Sequence, residues 1–180
     1  MVQTIDTITL GSGCFWCTEA IYQRLDGVVS VTSGYAGGHV NQPTYEAVCE
    51  GTTGHAEVCQ IVYDTTKVSL DDILMVFWKT HDPTTLNRQG GDIGTQYRSV
   101  IFYHDEKQLE IAKAYKNQLE LSNTYINPIV TTFEPFNKFF SAEDYHQNYY
   151  ENHKDFPYCE IVITPKVLKL EKDFKNLLNK

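Results

Sequence analysis

The chain has 180 residues, of which 42% are hydrophobic, and it carries a formal net charge of −8 at pH 7. This length is enough to bury one sizeable core, so we predict a single domain over residues 1–180. The negative charge disfavours nucleic acids and anionic membranes as partners, and no apolar run is long enough to span a bilayer.

Hydrophobic periodicity and turn residues predict the following elements in chain order. They are a strand (about 4–10), a helix (15–26), two strands (28–34 and 57–64), a helix (70–81), a strand (98–104), a helix (106–121), a strand (129–136), a short helix (142–151), a strand (159–164) and a helix (166–179).

Three of the predicted helices have clear start signals. Ser69 and Asp72 have the spacing of a capping box, in which each side chain binds the other residue's backbone N–H. Asp105 has the side chain of a good N-cap, and Pro165 suits the first turn because proline has no N–H to satisfy there. These residues predict where the second, third and last long helices begin.

The first six elements run β-α-β-β-α-β, which is the order of a split β-α-β unit. We therefore predict an α+β fold, a ferredoxin-like split β-α-β sandwich with extra helices. Long loops remain at 35–56 and 82–96, over one end of the predicted sheet. Loops of this length in a compact domain are usually functional, so we expect them to carry active-site residues.

The most informative motif is the run Gly-Cys-Phe-Trp-Cys at residues 13–17, between the first strand and the first helix. Cys14 is expected at the helix N-terminus, where free N–H groups favour an anion and lower the pKa of a thiol. Cys17 follows almost one turn later, and helix geometry places the two Cα atoms about 5 Å apart, within disulfide range. The pair is typical of a nucleophilic thiol with a resolving thiol beside it.

Other interpretations of a C-x-x-C pair are a zinc site and a thioredoxin-like dithiol. The chain has no second C-x-x-C and no close Cys/His pair, which disfavours zinc. Phe15 and Trp16 would be unusual for docking a protein disulfide, and they suit the wall of a small apolar pocket. Cys49 and Cys59 are expected to be buried, apolar side chains.

The five cysteines form an odd number, and no secretory signal is recognisable. These features predict a reducing, cytoplasmic compartment, in which cysteine pairs are transient and catalytic.

Glu57 is the most unusual acidic residue. Alternation along the strand predicted at 57–64 places it on the same face as Cys59, Ile61 and Tyr63. Burial there would raise the pKa of its carboxyl and make it a proton or hydrogen-bond donor. The alternative is that Glu57 lies at the exposed start of the strand.

Tyr45 and Asp92 add hydrogen-bonding groups in the two long loops, and Tyr97 directly follows the second loop, although any single tyrosine is more often a packing residue. The histidines lack the spacing of metal ligands, and we expect them to be structural or solvated. Their positions are 39, 55, 81, 104, 146 and 153.

Several motifs together resemble the A-type peptide methionine sulfoxide reductases. They lie, in order, at residues 13–20, 33–38, 43–46, 54–58, 90–99, 142–147 and 157–159. The resemblance covers about residues 8–165, and only the last helix lacks a distinctive motif. An ordered set of this kind is far more specific than a C-x-x-C pair alone.

This resemblance implies that Cys14 is the nucleophile and Glu57 the acid, with Tyr45 and Tyr97 donating hydroxyl hydrogen bonds to the sulfoxide oxygen. The sulfur of a sulfoxide is a poor electrophile until the sulfoxide oxygen is protonated or strongly hydrogen-bonded. Attack by the thiolate would release methionine and leave a sulfenic acid, which a second thiol converts to a disulfide.

The resemblance also implies that Phe15 and Trp16 receive the S-methyl group and that Asp92 helps to hold the substrate. The expected substrate is methionine-(S)-sulfoxide, free or in proteins, together with small methyl sulfoxides. No cofactor is expected, because reduced thioredoxin, the expected partner, would supply the electrons.

The sequence offers two candidates for the resolving cysteine, Cys17 and Cys159. Many members of the family lack a cysteine at the position of Cys17 and resolve through cysteines near the C-terminus. Here we favour Cys17 because local geometry sets its distance. Cys159, or a relay from the Cys14–Cys17 disulfide to Cys159, is the alternative.

Two other classes of function stay open at this point. One is a thiol-disulfide oxidoreductase acting on partner disulfides. The other is a redox- or zinc-binding interaction module without enzymatic activity.

Overall fold

The computed structural model describes residues 4–179. Its strands are β1 (Ile5–Ser12), β2 (Val28–Ala36), β3 (Ala56–Asp64), β4 (Arg88–Gln89), β5 (Asp92–Ile93), β6 (Ser99–Tyr103), β7 (Thr132–Pro135) and β8 (Phe139–Ser141). Its α-helices are α1 (Phe15–Tyr22), α2 (Tyr45–Cys49), α3 (Leu70–Thr80), α4 (Glu106–Leu121), α5 (Tyr149–Asn152) and α6 (Thr164–Asp173). Short 3₁₀ turns lie at Thr95–Tyr97, Asp144–His146 and Lys175–Leu177, and a π-helical turn lies at Cys159–Ile163.

Six strands form one sheet in the order β7-β6-β1-β3-β2-β8, and β4 pairs with β5 in a separate hairpin. The neighbouring strands are antiparallel except β6 and β7, which are parallel. The protein is thus a mixed α/β fold in which helices cover a mixed sheet. The predicted ferredoxin-like unit would include only the four central strands, and β7 and β8 extend the sheet at its two edges. The ferredoxin-like description therefore stays a prediction.

The main core lies between the sheet and the helices. Ile8 and Leu10 of β1 stand opposite Ile61 and Cys59 of β3. All four side chains are fully buried in one cluster with Phe77 of α3. A smaller cluster on the sheet contains the alternating residues Ala56 and Val58. The period-2 alternation of the strands therefore fills two apolar layers.

The helix start signals are confirmed. Ser69 and Asp72 form the predicted capping box of α3, with both side-chain-to-backbone bonds present. The Asp105 side chain accepts a hydrogen bond from the backbone N–H of Gln108 at the start of α4. Pro165 lies in the first turn of α6.

The strand predicted at 159–164 is wrong. These residues form a π-helical turn that runs directly into α6. Cys159 and Ile163, four residues apart, are fully buried, whereas Ile161 between them is 74% exposed. This is helical spacing, and it overrides the strand preference of the β-branched run that suggested a strand.

Other boundaries also differ from the predictions. The helix predicted at 15–26 ends at Tyr22, and the helix predicted at 142–151 is divided into a 3₁₀ turn and α5. Asn148 interrupts it with a left-handed backbone conformation, at a φ of 55°. The two segments predicted as long loops contain α2 and the β4–β5 hairpin. These elements are too short to show a hydrophobic period in the sequence.

None of the helices within residues 4–179 is both long and apolar enough to cross a membrane.

We predict that Ser69→Ala lowers the free energy of unfolding by about 1 kcal/mol, because an orphan N–H of α3 loses its acceptor. Urea denaturation would measure this change. The hydroxyl of Ser69 also donates to Asp72 Oδ2 at 2.6 Å. The effects of Ser69→Ala and Asp72→Ala should therefore not add in the double variant, and full additivity would contradict a shared cap.

Candidate active site

Cys14 lies at the turn between β1 and α1. Gly13 makes this turn with a φ of +100°, and a Cβ on it would come within 2.7 Å of the Gln89 side chain. Cys14 is the N-cap of α1, and its carbonyl accepts hydrogen bonds from the N–H groups of Cys17 and Thr18. The predicted position at the helix N-terminus is confirmed.

The protonation of Cys14 differs from the sequence-based prediction. Its side chain is only 7% exposed. Burial raises the pKa of the thiol well above its ordinary value, and the neighbouring Cys17 thiol and Glu57 carboxylate raise it further, against a lowering by the Tyr158 hydroxyl. Desolvation shifts a pKa more strongly than a single helix terminus does, so the predicted lowering is wrong for this state.

Cys17 has the opposite shift. A hydrogen bond with the Cys14 thiol lowers the pKa of Cys17 to about 7, against burial, and the positive charge of Lys166 contributes to the lowering. Its Sγ also lies 3.8 Å from the hydroxyl of Tyr158. The interaction between the two thiols therefore favours the proton on Cys14 and the negative charge on Cys17.

Glu57 lies near the start of β3, and its side chain is 1% exposed. Its Oε2 accepts a hydrogen bond of 3.0 Å from the backbone N–H of Phe15. Burial raises the pKa of the carboxyl to about 8, against this hydrogen bond, and the negative charges of Asp92 and Cys17 raise it further. The predicted burial of the carboxyl is confirmed, and the alternative of an exposed strand start is wrong.

Tyr45 and Tyr97 come from different loops. Tyr45 begins α2, and Tyr97 ends the 3₁₀ turn Thr95–Tyr97. Partial burial raises the pKa of each hydroxyl above its ordinary value, and the charge of Glu57 acts on both in the same direction. Both phenols therefore keep their protons at neutral pH, and the charge of Cys14 also raises the pKa of Tyr97.

Phe15 and Trp16 occupy different layers of an aromatic cluster. Trp16 is half-buried, and its indole stacks on Tyr149 with ring centroids 3.7 Å apart and planes 5° apart. Phe15 is fully buried, with its ring centroid 5.0 Å from that of His146 and 5.7 Å from that of Tyr35. Trp16 is therefore the accessible surface of the wall, and Phe15 supports it from below.

His146 is buried within this cluster, which agrees with the prediction that it is structural or solvated. Its Nδ1 accepts a hydrogen bond of 3.0 Å from Trp16 Nε1, so the neutral ring carries its proton on Nε2. Within the described residues, Nε2 has no hydrogen-bond partner. The ring centroid is 4.4 Å from that of Tyr45. The only sequence signal was the family-like motif at 142–147, because a lone histidine carries no spacing information.

Asp92 begins β5 and joins the site through a residue that sequence reasoning also missed. The hydroxyl of Tyr158 donates to Asp92 Oδ2 at 2.7 Å and lies 3.8 Å from Cys17 Sγ. The ring of Tyr158 also meets the indole of Trp16 edge-on, with centroids 5.8 Å apart. Tyr158 therefore links Asp92 with Cys17 and Trp16.

All five cysteines are free. Cys59 is fully buried, as predicted, and its Sγ donates to the Phe15 carbonyl at 3.5 Å. Cys49 is exposed, so the prediction of burial is wrong there, because α2 ends with this residue at the surface. Cys159 is fully buried in the π-helical turn.

No group of three His, Cys, Asp or Glu side chains within residues 4–179 is arranged to hold a metal ion. A cavity of about 680 Å³ lies elsewhere; Lys166 lines it, but none of the cysteines and none of Glu57, Asp92 and the aromatic cluster around Trp16 does. It is bounded by the C-terminal part of α3, the segment 124–127 and α6.

Comparisons with known proteins agree with these features. A family model described as "Peptide methionine sulfoxide reductase" matches residues 6–178. The chain is 54% identical over 170 residues to the peptide methionine sulfoxide reductase MsrA of Saccharolobus solfataricus, covering 94% of this chain and 95% of the relative.

Solved structures are similar as well. Mxr1 from Saccharomyces cerevisiae in its reduced form has a TM-score of 0.80 and 37% identity, over 87% of this chain and 90% of that one. Mxr1 in complex with Trx2 has a TM-score of 0.58 and 30% identity, over 83% of this chain and 87% of that one.

We predict that a thiolate forms near pH 7 in the unliganded protein and that it belongs to Cys17. Titration of the ultraviolet absorbance of thiolates would show a transition near pH 7, which Cys17→Ser should remove. The exposed Cys49 provides the control, because Cys49→Ser should leave that transition in place. A transition that persists in Cys17→Ser would assign the low pKa to another thiol.

Proposed function

This chain belongs to the peptide methionine sulfoxide reductase family, and from that premise we propose that it reduces methionine-(S)-sulfoxide, free or in proteins, to methionine. It is an oxidoreductase of the MsrA type. The observation that carries the proposal is the buried Glu57 carboxyl, which accepts a hydrogen bond from the backbone N–H of Phe15, the residue directly after Cys14.

The first role in this proposal is activation of the sulfoxide. With a pKa of about 8, Glu57 is mostly protonated at neutral pH and can donate to the sulfoxide oxygen. Tyr45 and Tyr97 retain their protons and provide further hydrogen bonds. As the S–O bond breaks, negative charge develops on that oxygen, so these donors act most strongly in the transition state.

The second role is nucleophilic attack. The Cys14 thiol passes its proton to the Cys17 thiolate and attacks the sulfur, and the neutral form of Glu57 does not oppose the resulting charge. Cys14 Sγ bonds to the substrate sulfur while the S–O bond breaks, and the oxygen takes one proton from Glu57 and one from Cys17 and leaves as water. A water then attacks Cys14 Sγ and gives a proton back to Glu57, the S–S bond breaks, methionine leaves with the bonding electron pair, and Cys14 carries a sulfenic acid. Cys14 is oxidised by two electrons and the sulfoxide is reduced by two.

Selection between the sulfoxide epimers follows from two fixed surfaces. The indole of Trp16, supported by Phe15, offers an apolar surface for the S-methyl group. Glu57 and the two phenols fix the direction of the oxygen. Asp92 is proposed to hold the backbone of the substrate through a hydrogen bond. This bond would replace the one that Asp92 Oδ2 accepts from the Tyr158 hydroxyl in the unliganded protein.

The third role is resolution of the sulfenic acid. Cys17 condenses with Cys14–SOH to give a disulfide and water, and its interaction with the Cys14 thiol in the resting state supports this assignment. Cys159 is fully buried in the π-helical turn, so it would first have to move. A relay to Cys159 stays the alternative.

Reduced thioredoxin is proposed to reduce the disulfide, with no bound cofactor, in a reducing, cytoplasmic compartment. The similarity to Mxr1 in complex with Trx2 supports this partner. The burial of Cys14 beside aromatic side chains favours a small methyl sulfoxide over a protein disulfide as the group attacked, which disfavours the thiol-disulfide oxidoreductase alternative.

We predict that Glu57→Gln slows the single-turnover release of methionine by roughly a hundredfold or more, because glutamine cannot give up a proton. In the parent, the rate should be highest between the pKa of Cys17, about 7, and that of Glu57, about 8, because the reaction uses the Cys17 thiolate and the protonated Glu57, and it should fall as the pH rises through the higher value. In rapid-quench measurements across this range, Glu57→Gln should lose the fall at high pH and keep the dependence on Cys17.

The exposed Glu46 supplies the matched control, and Glu46→Gln should keep the parental rate and profile. An unchanged rate and pH profile in Glu57→Gln would show that this carboxyl is not the acid.

We predict that Cys14→Ser releases no methionine even in a single turnover, whereas Cys17→Ser still releases about one methionine per enzyme. Cys17→Ser should then accumulate a dimedone-trappable sulfenic acid and turn over poorly with thioredoxin. Cys159→Ser should behave nearly like the parent. Peptide mapping after one turnover tests this, and a Cys14–Cys159 disulfide with Cys17 free would assign resolution to Cys159.

A further inference from the structure

The accessible aromatic surface of the site depends on a short segment that cannot support itself. The ring of Tyr149 covers one face of the Trp16 indole. Tyr149 begins α5, which has only four residues and follows Asn148 in a left-handed conformation. A helix this short has no stability of its own, so contacts from elsewhere must fix the Asn148–Tyr149 turn.

The buried contact to this turn comes from Glu19 of α1. Its side chain is 1% exposed. Its Oε1 accepts a hydrogen bond of 2.9 Å from the backbone N–H of Asn148, and the N–H of Tyr149 also points to the carboxyl. Burial raises the pKa of this carboxyl to about 7, and the two N–H groups oppose the shift. No step proposed for the reaction uses Glu19.

Helical spacing explains why α1 can do this. Trp16, Glu19 and Gln23 lie three and four residues apart, on one face of the helix. Trp16 stacks on Tyr149, and Gln23 Nε2 donates to the Asn148 side chain at 2.7 Å in an exposed hydrogen bond. The same face of α1 therefore carries the indole and holds the turn that covers it.

We propose that Glu19 is a positioning residue that fixes the Asn148–Tyr149 turn, so that Tyr149 holds the indole of Trp16 in the orientation that receives the substrate's methyl group. Burying a carboxyl costs free energy unless its hydrogen bonds are made, and here they are made to the backbone of this turn. The inference rests on the proposed function through the role of Trp16, while the position of the indole is measurable without activity.

The test compares Glu19→Met, which fills a similar volume without an acceptor, with Glu19→Gln, which retains a carbonyl oxygen for the Asn148 N–H. Trp78→Phe is introduced in every protein, parent included, so that Trp16 is the only tryptophan. Gln23→Ala is the matched control, because it removes the exposed contact to the same turn. Glu19→Ala serves as a second apolar variant if Glu19→Met does not fold.

We predict that Glu19→Met shifts the emission of Trp16 and raises KM for N-acetyl-methionine sulfoxide roughly tenfold, with kcat within about twofold. Glu19→Gln should restore both parental values, and Gln23→Ala should change neither. Thermal unfolding of each variant confirms that measurements are made on folded protein. A purely structural role would lower the unfolding temperature and leave KM and emission unchanged in the folded variant.

Unchanged emission and KM in folded Glu19→Met would overturn the proposal, as would Gln23→Ala matching its effects. If the parent does not reduce the sulfoxide, the proposed function fails. The emission of Trp16 in the same proteins still decides whether Glu19 positions the indole.

Discussion

The site depends on the hydrogen bond from the Phe15 N–H to the carboxyl of Glu57. This bond joins the first turn of α1 to the start of β3, two elements that are far apart in the sequence. It fixes the Glu57 carboxyl beside Cys14 and satisfies the first backbone N–H of α1, which has no partner within the helix. Because the bond favours the charged carboxyl while burial disfavours it, the pKa stops at about 8 and the proton remains transferable.

Electrostatics explain why the acid must be neutral in the resting site. The charges of Glu57 and Cys17 raise the pKa of Cys14, and those of Asp92 and Cys17 raise the pKa of Glu57. Lys166 is the cation that acts on Cys17. If all of these acidic groups were charged, they would repel one another, so Glu57 and Cys14 keep their protons. Storing protons in this way suits a reaction that consumes protons when an oxygen leaves.

Much of the site could be predicted from the sequence, because its strongest signals are local. The turn at Gly13 and the helix after it placed Cys14 at an N-terminus, and strand alternation placed Glu57 on an inward face. The pKa of Cys14 could not be predicted, because it depends on how much protein covers the thiol. His146 and Tyr158 were missed for a related reason: each reaches the site through contacts between distant segments.

The fold shows the same division between local and long-range information. The capping residues Ser69 and Asp105 act within one helical turn, and they marked the starts of α3 and α4 correctly. The run at Cys159–Ile163 has the composition of a strand, but its burial against the core follows helical spacing. The two edge strands of the sheet are short, and the strands that pair with them lie more than thirty residues away in the chain. No local pattern specifies such pairing.

The lengths of those edge strands have a consequence for self-association. β7 has four residues and ends in Pro135, which has no N–H to donate, and β8 has only three residues. Short edges and an edge proline discourage another extended chain from adding itself to a sheet. An extended polypeptide that approaches this protein therefore finds little open backbone on which to aggregate.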